Sequence, residues 1–301
     1  MRNKYVDETG KNTPIVMNEQ VDFDKIEITD DIMFGSVFKN EIECKEFLQR
    51  ILAIEIQNIK VVEAQKTMKA TYTGKGIRLD IYAKDVEGNV YDIEMQTTSS
   101  RELPLRSRYY HSEMDSYQIR EGKKYTSLKQ SVVIFVCKFD PFEDNRSIYT
   151  FNTFCKENKE LRLDDKRHTY FVNVHGNREG MPQHVINLLD YFKTGKPTDS
   201  YTEKLHDQVE RYRRDDEWRD NYMTIEMKMD EKFEEGKKIG RAEGEKYAIQ
   251  KLVQSWLKKG KTISEIAREL DYSEESVENL IALDLCSDDV RINNDNTGNH
   301  R

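Results

Sequence analysis

Apolar residues recur along this chain with two periods. Residues 29 to 39, TDDIMFGSVFK, repeat at helical spacing, with Ile32, Met33, Phe34, Val37 and Phe38 on one side and Thr29 or Asp30 placed to cap the start. EIECKEFLQRIL follows as a second helix, with Ile42, Phe47, Leu48, Ile51 and Leu52 directed inward. The period then shortens to two. Residues 59 to 72 read as a strand, less regular than the two after it, IRLDIYAK (77–84) and VYDIEMQ (90–96). Between these lie Asp85 to Asn89, with Gly88 suited to the left-handed position of a three-residue hairpin loop, Val86 to Gly88. Pro104 opens a helix that runs to about Arg120, where Gly122 stops it. SVVIFVC (131–137) is uniformly apolar, the mark of a strand buried on both faces. Strands near 147–154 and 168–174 and a helix over 181–193 follow, and Gly195 and Pro197 mark a boundary.

Helix, three strands, helix, strand implies an α/β (α+β) domain, a mixed sheet flanked by helices, over residues 26–195. Residues 1–25 carry no clear period and read as a flexible N-terminus. Residues 196–250 are a charged, helix-prone linker, and 251–283 a helical hairpin; the polar tail 284–301 reads as disordered. Gly236, Gly240 and Gly244 lie every four residues in the linker, where each weakens a helix by about 1 kcal/mol. Close approach of another backbone, as in a dimer, accounts for them; so does a frayed spacer helix.

The hairpin register places the chemistry. With Asp85 opposite Asn89, Ala83 faces Tyr91, Ile81 faces Ile93 and Leu79 faces Met95, an apolar set directed to the core. On the other face Asp80 lies opposite Glu94 with Cβ atoms about 5 Å apart, Arg78 opposite Gln96, and Asp92 one diagonal step away. Two facing carboxylates are unfavourable without a positive partner. Arg78 is one partner and a divalent cation another; a solvated sheet face is the plain alternative. Hard cations prefer such oxygens, and a bound one polarises a phosphate oxygen and activates water, the chemistry of phosphodiester hydrolysis.

Composition changes this picture in few places. The 301 residues, 37% hydrophobic and 35% charged, allow one core with accessory helices. The net charge of -8 argues against a protein that coats nucleic acid, though not against an enzyme that touches it locally. No run approaches the roughly 20 apolar residues of a membrane span. The first 20 residues lack a signal-peptide core, so a cytoplasmic protein is expected. Cys44, Cys137, Cys155 and Cys286 show no C-x-x-C spacing. Residues 263–281 have helix-turn-helix spacing, but Glu274, Glu275 and Glu278 on the second helix repel phosphates. A protein contact or self-association fits that hairpin better.

RLDIYAKDVEGNVYDIEMQTT with LPLRSRYYHSEMDSYQIREGKKYTSLKQSVVIFV resembles the Rpn family of recombination-promoting nucleases, also described as PD-(D/E)XK nuclease family transposases. TDDIMFGSVFKN resembles that family's opening D-x-x-F-x-x-x-F helix, and the likeness covers roughly residues 28 to 280. It implies a restriction-endonuclease-like αβββαβ core with an all-helical C-terminal extension. It implies an Mg²⁺-dependent DNA endonuclease, with Mn²⁺ as a substitute, tied to recombination or mobile DNA. Asp80 and Glu94 would be metal ligands with the Met95 carbonyl as third, and Gln96 would stand in the place of the signature lysine. Such proteins often take another acid from the first helix, and Asp31, Glu43 and Glu46 are the candidates here, Asp31 favoured by the opening motif. Arg101, Arg106 and Arg108, early in the helix after Gln96, are placed to grip DNA phosphates or to form a solvated face. No proline precedes Asp80, and Gln96 is neutral. DNA is the partner implied, with a homo-oligomer through the C-terminal helices and no membrane. The alternative is a catalytically weak or inactive nuclease-fold scaffold acting through protein contacts.

Overall fold

The computed structural model describes residues 21–69, 76–119 and 121–282. The start of the segment read as a loose N-terminus, the end of the strand read over 59–72, Arg120, Cys286 and the polar tail lie outside the described residues. The chain divides into two compact units at Tyr222/Met223.

The first unit opens with α1 (Asp31–Phe38) and α2 (Glu41–Leu52). Of the two candidate caps, Asp30 does the capping, its carboxylate accepting the Ile32 and Met33 N–H groups. On α2 the buried stripe is Cys44, Phe47, Leu48, Ile51 and Leu52. Ile42, expected inward, is 69% exposed: it sits about 200° around the helix from Cys44, off the stripe. Strands β1 (Ile59–Met68), β2 (Ile77–Asp85) and β3 (Val90–Gln96) form an antiparallel meander, followed by α3 (Leu103–Gln118), β4 (Ser131–Cys137), β5 (Ile148–Phe151), β6 (Arg167–Asn173) and α4 (Gln183–Thr194). The six-stranded sheet has the order β1-β2-β3-β4-β6-β5, with β3, β4 and β6 parallel. The fold is mixed α/β, and β4, central in the sheet, is buried throughout.

Both faces of the sheet are covered. One packs Ile81, Ala83, Ile93, Met95, Ile134 and Val136 against Phe34, Phe38, Phe47 and Phe192 of α1, α2 and α4. The other packs Tyr82, Val90, Val133 and Phe135 against Leu103, Tyr110 and Met114 of α3. Leu79, expected beside Ile81, belongs to this second cluster. The pairing of β2 with β3 ends at Ile81/Ile93, so the alternation of the hairpin does not carry through to Leu79.

Helix α5 (Ser200–Arg214) and the start of α6 (Asp216–Lys258), within the stretch read from sequence as a charged linker, pack into the first cluster through Tyr201, Leu205, Val209, Trp218 and Tyr222. Arg50 ties α5 to α2: its Nη1 lies 2.7 Å from Asp199 Oδ2, beside the α5 capping box of Asp199 and Thr202. The second unit holds the rest of α6, α7 (Ile263–Leu270) and a last helix over 274–282, around Val253, Ile266, Ala267 and Val277. Thr262 and Glu265 form a capping box at the start of α7, and Ser273 Oγ accepts the Ser276 N–H at 3.1 Å.

Candidate active site

The hairpin keeps the register read from the sequence over four pairs, Lys84/Val90 to Ile81/Ile93, with Gly88 at φ +92° in its loop. Beyond Ile81, side chains bridge the strands. The Asp80 N–H donates to Glu94 Oε1 at 3.0 Å, and the Met95 N–H donates to Asp80 Oδ2 at 3.0 Å. Each carboxylate is therefore fixed by the main chain of the opposite strand. A third contact comes from β1: the Gln65 amide donates to Asp80 Oδ1 at 3.4 Å, from a residue at φ +55°. No sequence pattern flags that left-handed backbone, and Gln65 escaped the sequence reading.

The cation paired with Glu94 is Arg106 of α3, not Arg78, which is exposed. Arg106 Nη2 donates to Glu94 Oε2 at 3.0 Å, and Nη1 to Gln96 Oε1 at 2.9 Å. Tyr110, one turn further along α3, accepts from Arg106 Nη2 and Nε at 2.8 and 3.2 Å. Arg106 thus differs from Arg101 and Arg108, which are exposed as a surface grip on phosphate requires. The Gln96 Nε2 donates to the Met95 carbonyl at 2.9 Å, which leaves that oxygen a second lone pair. Asp31 is exposed on the first turn of α1, one turn before Gly35 on the same face; a Cβ on Gly35 would lie 3.9 Å from the Gln65 amide nitrogen.

Asp92 is fully buried, and among the described residues neither of its oxygens has a hydrogen-bond donor. Burial raises the Asp92 carboxyl well above its ordinary range, and the neighbouring charges of Glu94 and Asp80 add to the effect. Glu94 is raised by burial and then by Asp80. Asp80 is raised by burial, opposed by the Met95 N–H, Gln65 and Arg106. An acid proton on Asp92 directed at Glu94 satisfies both groups. So does a cation near the three.

Among the described residues no cluster of three or more His, Cys, Asp or Glu side chains is arranged to hold a metal ion. Mg²⁺ needs less, one or two carboxylates with several waters retained. The donors present are hard oxygens: Asp80, Glu94 and the Met95 carbonyl, beside the donorless Asp92. This set fits a hard divalent cation.

His111, also on α3, stands apart from this chemistry. Its ring nitrogens lie 2.7 Å from Ser131 Oγ and 3.0 Å from Thr169 Oγ1, and burial lowers its pKa to about 3. The unfolded chain takes up the proton near pH 6.5 and the folded chain only near pH 3. The contribution of His111 to stability should fall as pH drops below 6.5, by about 2 kcal/mol at pH 5, opposite in sign to that of the raised Glu94 and Asp92 carboxyls. Melting curves of the native protein and His111→Gln between pH 7.5 and 5 check this: the variant should lose most of that slope.

Residues 30–238 match the family model of the PD-(D/E)XK nuclease family transposases. The chain belongs to that family, whose description is nuclease- and transposase-related. No curated protein and no solved structure matches the chain. Among the described residues no helix is long and apolar enough to cross a membrane.

Proposed function

We propose that this chain is a Mg²⁺-dependent DNA endonuclease, active with Mn²⁺ as well, that hydrolyses phosphodiester bonds in the recombination or movement of DNA, as the Rpn resemblance implies. The observation that carries the reading is the reciprocal bridging of Asp80 and Glu94 at the end of the β2–β3 pairing, beside the buried, donorless Asp92. In this reading Asp80, Glu94 and the Met95 carbonyl hold the ion. When bound, such an ion polarises a phosphate oxygen and lowers the pKa of a water. Gln96 orients that water, Asp31 stands by as an auxiliary acid, and Arg101 and Arg108 grip the DNA backbone. The protein works in the cytoplasm.

The proposal includes self-association through the C-terminal helices. Among the described residues, nothing beyond the chain neighbours and the helix's own backbone lies within 4 Å of a Cβ built on Gly236, Gly240 or Gly244, which leaves room for a second helix backbone.

The test is nicking of supercoiled plasmid by the full chain in Mg²⁺ and in excess EDTA. Nicked and linear DNA should accumulate in Mg²⁺ and not in EDTA. A second reading, a nuclease fold retained as a protein-binding scaffold, is favoured by the Arg106–Glu94 ion pair, which neutralises one carboxylate without any metal. Absence of cleavage in both Mg²⁺ and Mn²⁺ would select it.

A further inference from the structure

The signature position of the site is neutral. The Gln96 amide hydrogen-bonds but offsets no charge on a phosphate passing through its transition state. A cation is nonetheless present, and it comes from α3. Arg106 donates four hydrogen bonds: one from Nη1 to Gln96, one from Nη2 to Glu94, and one each from Nη2 and Nε to Tyr110. Its Cζ lies 5.3 Å from the Tyr110 ring centroid and 5.7 Å from that of Phe135. The guanidinium is therefore held from the strand that carries the two site residues, from its own helix and from two aromatic rings. It is not sealed in: the side chain keeps 32% exposure. A guanidinium has five N–H donors. Among the described residues four are used, and one hydrogen on Nη1 remains, on the nitrogen bonded to Gln96.

We propose that Arg106 is the positive group of this site, taking the place of the missing signature lysine. Its remaining Nη1 hydrogen meets a non-bridging oxygen of the scissile phosphate, while Gln96 and Tyr110 hold the guanidinium in place. This rests on the nuclease reading above. In the hydrolysis the oxygen of water bonds to phosphorus and the bond from phosphorus to the leaving sugar oxygen breaks. One water proton ends on the leaving hydroxyl and the other on the new phosphate monoester or in solvent. Arg106 keeps all of its protons and contributes charge alone. The arrangement also assigns work to Tyr110, whose hydroxyl sets the guanidinium plane.

The test compares the native full-length chain with Arg106→Gln and Arg106→Lys in three measurements: plasmid cleavage kinetics, Mn²⁺ binding by calorimetry, and melting temperature. Arg106→Gln should lower kcat by about 10²- to 10³-fold, the usual loss on removing one preorganised transition-state contact. KM for DNA should change little. Mn²⁺ should bind at least as tightly as to the native chain, because a repelling charge has gone. Arg106→Lys should recover part of the lost kcat. Native kcat in Arg106→Gln would overturn the proposal. So would a rise in KM alone, which would make Arg106 a grip on the DNA backbone. Loss of Mn²⁺ binding together with a lowered melting temperature would also overturn it, since Arg106 would then only support Glu94. If the native chain cleaves nothing in any divalent metal, the nuclease reading fails and this proposal falls with it. If the native chain cleaves and Arg106→Gln matches it, this proposal alone fails.

Discussion

Glu94→Gln should reduce plasmid cleavage at least about 10³-fold, a loss of about 4 kcal/mol of transition-state stabilisation, with little change in stability. The activity loss follows from geometry. Glu94 is one of two carboxylates fixed where the β2–β3 pairing ends, and the amide of glutamine is a far weaker ligand for a hard cation. The small stability change follows from two opposing effects. The substitution removes a charge from a fully buried position beside Asp80 and Asp92, which favours the folded state. It also deprives Arg106 of its carboxylate partner, which disfavours it. Arg106 retains Gln96 and Tyr110, and the introduced amide would still offer a carbonyl oxygen, so the second effect is moderated. Cleavage kinetics and thermal melts on the same preparation check both halves. A variant that loses activity by unfolding would show it in the melt.

Phe38→Ala should destabilise the first unit by about 3–5 kcal/mol. Phe38 is completely buried among Phe34, Phe47 and Phe192, with ring centroids 4.6, 5.2 and 6.2 Å away. Truncation leaves a cavity where α1, α2 and α4 meet, and three neighbouring rings cannot close it without leaving their own contacts. Denaturant melts of the full chain measure the change. The same contacts give the motif helix a role: the two phenylalanines of D-x-x-F-x-x-x-F are core residues, its Asp31 is exposed, and Asp30 just before it caps the helix.

The sequence was most legible where one interaction dominates. Over its four pairs the hairpin register followed from Gly88 and the alternation of IRLDIYAK and VYDIEMQ, since a one-residue slip would have turned Ile81, Ala83 and Ile93 away from the face they share. β4 was readable because burial on both faces leaves seven residues without a polar position outside Ser131. What escaped depends on contacts distant in sequence. Arg106 looked like one of three surface arginines, because nothing local shows that α3 lays it over Glu94 and Gln96. Asp92 looked like one more acid on a solvated face, because coverage of that face by α3 is a tertiary fact. Gln65 reaches Asp80 only through a left-handed backbone that a glutamine does not advertise. The packing of helix α5 was hidden by its charge: Tyr201, Leu205 and Val209 form a narrow buried stripe in a segment otherwise mostly polar and charged.

If the Asp80–Glu94 pair is a metal-dependent nuclease centre, a time course of supercoiled plasmid shows it with the fewest assumptions. The native chain and Glu94→Gln are run side by side, in Mg²⁺ and again in EDTA. Nicking by the native chain in Mg²⁺ alone, with almost none by the variant, is the expected result. Equal nicking by the two proteins, or nicking that persists in EDTA, would contradict a metal centre at this pair.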